Sequence, residues 1–513
     1  MTSSTIISAI VTFHSEGEIA QRTLQCIENV RRFTEKNSIS VEIVCVLDCA
    51  NQETISAVAS SPFIRSKDQV IQVKNGDLGA SRNSGIKVAK GGFIGIFDGD
   101  DYYTENWLLE AHRLASTDPE IYVVHPELQV SFGSVHCVAH ILDMNKTPNY
   151  PMQNCLSVHP WIACSFAAKS IYENNLYCRT DTKDTGFGFE DWHWNLETIS
   201  KGARHVSAPN TAHYYRRKPT SMLTEMVALG AVIPPTDFFN YPERWGTALK
   251  NNEVIEQVKS DKVSNLLPDW AIAGLNQISE IESDLQPTEE FLNQFTIYNP
   301  PFDLAPGNLY AQVLHTFEKF KPDVICFVIS NIWCDDTDAK WQDSFAKHVD
   351  GKKVLIVFTE HFDSKVDNQT PVRFNTLNFC GFANAYSETE KIKVLTRVIC
   401  QLPVNDIYIV KSTTGLEMVK RHYKSFKAIN KNIFVSVDGK RINSESNFPE
   451  EFFYSNITEW LNQYSESEKN TKKMDVTKKK HFRNTNRQNQ IVKESQSGRI
   501  LQKIKKILLG KYL

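Results

Sequence analysis

Short apolar runs that halt on a carboxylate recur through the first hundred residues, with helical stretches between them. Val44-Cys45-Val46-Leu47 stops at Asp48, and Gly95-Ile96-Phe97 stops at Asp98-Gly99-Asp100-Asp101. Runs of this length between turn signals read as buried strands, and their alternation with helices predicts an α/β sheet. In an open sheet of that kind the carboxyl ends of the strands present the ligands. The predicted strands cover residues 6–12, 42–47, 68–74 and 93–97, and the first helices follow Glu16 and Gly79.

A chain of 513 residues is too long for one core, because single cores stop growing near ~250–300 residues. The first α/β block is expected over 1–235, followed by a helical connector over 236–300. A second Rossmann-like α/β block is expected over 301–465, with buried strands at 324–330, 353–359 and 406–411. Beyond it the charge changes character. Thirteen Lys and Arg face two acids in 471–513, whereas the whole chain carries a formal charge of −3. Residues 466–496 have the polar, Lys- and Asn-rich composition of a disordered basic linker. Over 497–513, Ile500, Leu501, Ile504, Ile507 and Leu508 recur at helical spacing opposite Arg499, Lys503, Lys505 and Lys506, which predicts a basic amphipathic helix. An anionic membrane surface is its expected partner. Nucleic acid is not expected, since the net charge is near zero and the tail's only aromatics are Phe482 and Tyr512.

The eleven cysteines are scattered, with no Cys-x-x-Cys. They read as reduced thiols, and the short apolar start fits neither a signal peptide nor a membrane span. The expected location is therefore the cytoplasm, peripherally at the inner face of the plasma membrane.

Asp98-Gly99-Asp100 is the strongest chemical signal. Two carboxylates one residue apart can hold Mg2+ or Mn2+ and share it with phosphate oxygens. By itself Asp-Gly is also ordinary turn chemistry, so the surrounding motifs matter. Upstream, Gly76 to Gly85 is a turn leading into a helix, with Arg82 early enough on it to reach an anion. Asp48 can accept a hydrogen bond from a base or ribose. Downstream, Gly186-Phe187-Gly188-Phe189-Glu190-Asp191 precedes a helix beginning near Trp192, and Asp191 is a candidate general base with Glu190 beside it. Trp161, Trp192 and Trp194 are candidates for stacking on sugar rings, although large aromatics near a helix are more often core.

Taken in order over roughly residues 5–225, these segments resemble the family 2 glycosyltransferases, inverting enzymes of the GT-A fold. The resemblance implies a nucleotide-diphosphate-sugar donor and a glycan or lipid-linked acceptor, in surface polysaccharide or glycolipid synthesis. It implies contacts to the donor from Thr12, Phe13, Glu16, Asp48, Arg82 and Asp98, with Mn2+ or Mg2+ on Asp100 and Asp98. Asp191 matches the base and Glu190 its companion. In Ala212-His213-Tyr214-Tyr215-Arg216-Arg217, which resembles the closing strand and basic loop, Arg216 or Arg217 is placed to clamp the diphosphate and His213 to complete the metal shell. The chain departs from the family at Val11-Thr12-Phe13-His14, where Pro-Thr-Tyr-Asn is usual, and at Ala50 and Asn51, where a second acid and Gly-Ser are usual. Those departures bear on base specificity more than on catalysis.

The second block resembles the N-terminal half of GT-B glycosyltransferases, but the half that holds most of the nucleotide site has no room before the tail. A noncatalytic module for acceptor binding, docking or oligomerisation is expected. Two rivals remain at this stage. A scaffold or carbohydrate-binding protein with a degenerate transferase domain is opposed by the acids at 98, 100 and 191. A sugar nucleotidyltransferase lacks its Gly-rich, Lys/Arg-bearing loop at 14–18.

Overall fold

The computed structural model describes residues 6–240, 267–298, 304–328, 345–347, 349–362, 374–410 and 412–435. The expected linker at 466–496 and amphipathic helix at 497–513 lie outside the described residues. The chain forms two compact units, Met1–Asp303 and Leu304–Leu513.

In the first unit, β1 (Ile7–Phe13), α1 (Ile19–Glu35), β2 (Val41–Asp48), α2 (Gln52–Ala59), β3 (Gln69–Val73), α3 (Leu78–Val88) and β4 (Phe93–Asp98) follow in turn. The strands pair in parallel in the order β3-β2-β1-β4. Their apolar runs explain the order: β1 and β2 are buried along their whole length, so they sit in the middle with helices on both faces. Thr12 pairs with Asp98, and Phe13 with Leu47. The first loop, the Asp48 turn and the Asp98 turn are thereby brought to one edge of the sheet.

The rest of the unit widens that sheet. After β5 (Tyr102–Tyr103) and α4 (Trp107–Ala115) come β6 (Tyr122–Gly133), β7 (Cys137–His140), β8 (Phe166–Ala168), α5 (Lys169–Asn174), α6 (Thr182–Thr185), α7 (Glu190–Ser200), β9 (Arg204–Arg217) and α8 (Met222–Ala228). β8 lies antiparallel between β4 and β6, and the long β9 runs parallel to β6 along its whole length while His213 and Tyr214 also pair antiparallel with β5. The segment expected as a connector belongs to this unit. Its helix Asp269–Ser279 lies against β9, where Tyr214 Oη donates to Ala271 O, and its strand β10 (Thr296–Ile297) pairs with β7.

The second unit is a parallel sheet, β13-β12-β11-β14-β15, built from Phe374–Leu377, Val354–Phe358, Val324–Val328, Asp406–Val410 and Asn432–Val435. Helices Leu304–Phe320, Glu388–Gln401 and Thr413–Ala428 accompany it. Its core is apolar, centred on Val324, Cys326, Ile356, Phe358 and Tyr408. All described cysteines are free, and no helix among the described residues is long and apolar enough to cross a membrane.

Between β6 and β9 the first unit buries two imidazoles in a single chain of hydrogen bonds. His125 Nδ1 lies 2.8 Å from Cys164 O, His125 Nε2 lies 2.9 Å from His205 Nδ1, and His205 Nε2 lies 2.9 Å from Thr198 Oγ1. A carbonyl only accepts, so His125 must carry its proton on Nδ1 and His205 on its own Nδ1. A further proton on His125 would require His205 to move its own proton to Nε2, toward Thr198 Oγ1. Burial accordingly lowers His125 to about 3 and holds His205 well below its ordinary value. Unfolded imidazoles titrate near ~6.5, so as pH falls through that value the unfolded chain gains protons that the folded one refuses. Each imidazole should cost about 1.4 kcal/mol of stability one pH unit below 6.5. Urea unfolding at pH 7.5 and 5.5 tests this, and a variant with both positions changed to Gln should show a flatter dependence. An unchanged slope in that variant would contradict the account.

Candidate functional site

Four parts of the first unit meet at the carboxyl edge of β2, β1 and β4, and Arg82 joins them. It sits on α3 at 1% exposure, with Nη2 donating to Asp98 Oδ1 at 2.9 Å and Nη1 to Glu190 Oε1 at 2.8 Å. Its guanidinium also lies 5.3 Å from the centre of the Tyr177 ring. α3 begins here because Asp77 caps it, accepting from Ala80 N–H while its other oxygen accepts from Thr180 N–H and Oγ1–H. Gly79 permits the close approach: a Cβ there would stand 2.4 Å from Cys178 O. Asp48 holds the preceding turn, accepting from Asn75 and Gly76 N–H and from Ser81 Oγ–H. Burial opposes its charge, but these donors outweigh burial and keep its carboxyl below the usual range.

Glu190 opens α7 and is 4% exposed. Burial pushes its carboxyl up to about 7; Arg82 pulls it down and Asp191 pushes it up again. Arg82 itself remains cationic, since Asp98, Glu190 and Asp191 together outweigh the burial that opposes its charge. Asp191 is more open, with 23% of its side chain exposed, and Oδ1 accepts from Trp192 N–H at 2.8 Å. The residue before the pair, Phe189, takes φ +60°, a left-handed conformation that costs a bulky side chain roughly 1–2 kcal/mol. The surroundings impose it. Gly188 N–H and Val232 N–H close a bridge across Gly186 and Val232, Phe189 N–H points at Met226 Sδ, and a Cβ on Gly188 would meet that sulfur at 2.7 Å.

Beyond β4 the acidic turn divides its labour. Gly99 packs flat on β1, where a Cβ would lie 2.5 Å from both Thr12 O and the Phe13 ring. Thr12 and Phe13 are themselves buried beneath it. Asp101 points inward, accepting from Arg216 N–H at 2.8 Å, with Oδ2 2.7 Å from His213 Nε2. Burial pushes it up to about 6, while His213 pulls it down. Asp98 and Asp100 keep 21% and 22% of their side chains exposed, and Lys218 Nζ lies 2.6 Å from Asp100 Oδ2. Glu16 is half-buried nearby; burial raises its carboxyl and the Asp100 charge adds to that.

Arg216 is fully engaged within the protein. Nε donates to Asp100 O, Nη1 to Glu282 Oε1, and Nη2 to Tyr102 Oη and Glu282 Oε2, while its plane lies over the Phe132 ring at 4.8 Å. It fixes the acidic turn. Among the described residues, the buried side-chain polar atoms without a partner include Arg82 Nε, Trp192 Nε1, His213 Nδ1 and Arg217 Nη1. Such atoms are rare in a folded protein, and a water, an ion or a ligand is their usual partner.

The donor types a divalent cation takes are present here, with Arg82 on one oxygen of Asp98 and Lys218 on one oxygen of Asp100. Asp100 and Asp98 offer carboxylate oxygens, and His213, whose Nε2 meets the Asp101 carboxylate, keeps a bare Nδ1. A carboxylate behind one imidazole nitrogen is the usual support of a histidine whose other nitrogen binds metal. No three His, Cys, Asp or Glu converge as a complete ligand set among the described residues, so phosphate oxygens would have to supply the remainder. Of the tryptophans, Trp161 and Trp194 are core, bonded through Nε1 to Leu142 O and Asn175 O. Trp192 is half-buried beside Asp191. Sequence reading missed Asp101, Glu282, Lys218 and His159, whose partners are all remote in the chain or across a turn.

Replacing Arg82 by Met should strand two acids and lower stability by about 3–5 kcal/mol, the usual cost of breaking a buried ion pair from one side. Urea unfolding measures it; a loss under about 1 kcal/mol would show that the clasp is not structural.

The model of the family described as glycosyl transferase family 2 matches residues 8–168. A protein of Bacillus subtilis called uncharacterized glycosyltransferase EpsJ is 35% identical over 226 residues, covering 43% of this chain and 63% of its own length. The putative glycosyltransferase EpsH of the same organism is 29% identical over 98 residues, covering 19% of this chain and 28% of its own. This chain thus spans less than two thirds of either relative. Among solved structures, residues 1–349 of TarS from S. aureus in complex with UDP-GlcNAc align at 14% identity and TM-score 0.35, covering 86% of this chain and 98% of that one. By its match to the family's model, the chain carries a family 2 glycosyltransferase domain over residues 8–168.

Proposed function

We propose that the first unit transfers a sugar from a nucleotide-diphosphate sugar to an acceptor hydroxyl, with inversion at the anomeric carbon. The observation that carries this reading is the Arg82 clasp, which ties the Asp98 turn to the helix bearing Asp191, with Arg82 and its partner Glu190 108 residues apart in the sequence. The carboxylate suited to a metal and the one suited to a base therefore share one rim. Asp48, Thr12, Phe13 and Glu16 stand at the same end of the sheet, with Thr12 and Phe13 buried beneath Gly99, and the base and ribose of the donor are expected above them. Asp191 accepts the acceptor's hydroxyl proton as that oxygen bonds to the anomeric carbon. The bond to the diphosphate breaks from the opposite side, and its electron pair leaves with the diphosphate. Arg217, with Nη1 unpartnered, is the guanidinium suited to the diphosphate, because Arg216 is occupied in holding the turn. Mn2+ or Mg2+ on Asp100, Asp98 and His213 would supply positive charge to the departing diphosphate.

Glu190 serves this site through Arg82, and its high carboxyl value accords with a site that crowds acids around one cation. Asp191→Asn should lower turnover by roughly 10²-fold or more, the contribution of a positioned base, with little change in donor affinity. Release of nucleoside diphosphate from a panel of UDP- and GDP-sugars with Mn2+, and its arrest by chelator, is the assay. Undiminished turnover in Asp191→Asn would refute this mechanism.

For the second unit the proposal is a noncatalytic role in acceptor binding, docking or oligomerisation. Supporting it, the Glu360 carboxylate at the end of β12 already accepts from Thr414 N–H at the start of helix Thr413–Ala428, and Thr359 Oγ1 lies 2.7 Å from Ser412 Oγ. A phosphate approaching that helix would meet the protein's own anion. Residues 497–513 are proposed to hold the enzyme on anionic lipid at the cytoplasmic face, near glycan or lipid-linked acceptors. Their deletion should abolish cosedimentation with phosphatidylglycerol vesicles, and cosedimentation that persists would refute the anchor.

A further inference from the structure

His159 has no place in the chemistry described so far, yet it stands beside the candidate base. It lies in the loop between the turn Met152–Leu156 and β8, 32 residues before Asp191 in the chain. Its ring stacks on Trp192 with centroids 5.5 Å apart and planes 6° from parallel. Nε2 is 2.8 Å from Asn195 Nδ2, one turn further along α7. Nδ1 is 3.8 Å from Asp191 Oδ2, and the two side chains are 17% and 23% exposed.

Those contacts assign the proton. The Asn195 amide N–H donates, so Nε2 receives it with its lone pair and the imidazole proton sits on Nδ1, facing the carboxylate. The other carboxylate oxygen of Asp191, Oδ1, is held by Trp192 N–H. A base that must accept a proton in one direction needs its rotamer fixed, and a third group that orients the base is the usual device.

We propose that His159 is a positioning residue for Asp191: stacked on Trp192 and fixed in one tautomer by Asn195, it directs Nδ1–H at Oδ2 and holds the carboxylate toward the acceptor hydroxyl. This rests on reading Asp191 as the general base. At 3.8 Å the pair is longer than a hydrogen bond, and binding of the acceptor closes it, as catalytic contacts tighten on forming the reactive complex. His159 stays neutral because burial lowers its value, against the pull of Asp191. The other charges near the pair are Glu190 on α7, Arg82 on α3 and Asp98 on β4; His125 on β6 and His205 on β9 also interact with His159 and are neutral.

Two substitutions separate the ring from its proton. His159→Phe keeps an aromatic face for Trp192 and removes the donor; His159→Gln keeps an N–H and removes the ring. With the full chain, Mn2+ and UDP-GlcNAc or GDP-mannose as the donor probe, His159→Phe should lower kcat about ten- to hundredfold, a part of what a positioned base supplies. Donor KM should stay unchanged, and the acidic limb of the pH profile should move upward because Asp191 loses a stabilising N–H. His159→Gln should recover part of both effects. Equal kcat and an unmoved limb in His159→Phe, with Asp191→Asn inactive, would overturn the positioning role and leave the base intact. An active Asp191→Asn would overturn both. Independently of turnover, 15N-labelled histidine should show His159 as the Nδ1–H tautomer at neutral pH, assigned by its absence from the Gln variant, and the Nε2–H tautomer would overturn the proposal.

Discussion

The site depends on one buried cation. Arg82 carries its charge into the protein at the end of a parallel sheet, and the cost of desolvating it is offset only because Asp98 and Glu190 arrive from two other elements. Glu190 could not be buried as an ion without the guanidinium, and the guanidinium could not be buried without its two acids. A strand end, a helix start and a second helix start are thereby fixed to one another. What this arrangement leaves open is informative: Asp191, next to the buried Glu190, and both Asp98 and Asp100 retain access to solvent.

The acidic turn follows the same logic at a smaller scale. Gly99 lets the chain lie against Thr12 and Phe13, and Asp101 turns in toward His213 and the Arg216 backbone. Asp100 is left outward. Arg216 then braces the turn from β9, and Glu282, from the segment between the predicted blocks, braces Arg216. That segment therefore contributes a contact to the acidic turn through Arg216.

The sheet was legible because its signal is local. Apolar runs ending at Asp48 and Asp98 mark β2 and β4 within a residue, and β1 and β3 fall close to their predicted limits. The helix carrying Asp191 begins at Glu190, slightly earlier than expected, because Phe189 is forced into a left-handed turn by Met226 and Val232, neither of which is near it in the chain. Long-range pairings were not legible. Nothing in the sequence ties Glu282 to Arg216 or His159 to Asp191, and an Arg-Arg pair after a strand does not reveal which guanidinium is committed to the fold. The inward turn of Asp101 was hidden for a related reason: three adjacent acids look alike until the sheet decides which of them is buried.

The most direct test of the account is a crystal of the full chain grown with Mn2+ and UDP or GDP, with anomalous scattering collected at the manganese edge. The account predicts a manganese peak in contact with Asp100 and with diphosphate oxygens, at the carboxyl edge of β1 and β4. A nucleotide bound in the second unit, or a nucleotide at this edge with the metal elsewhere, would contradict it.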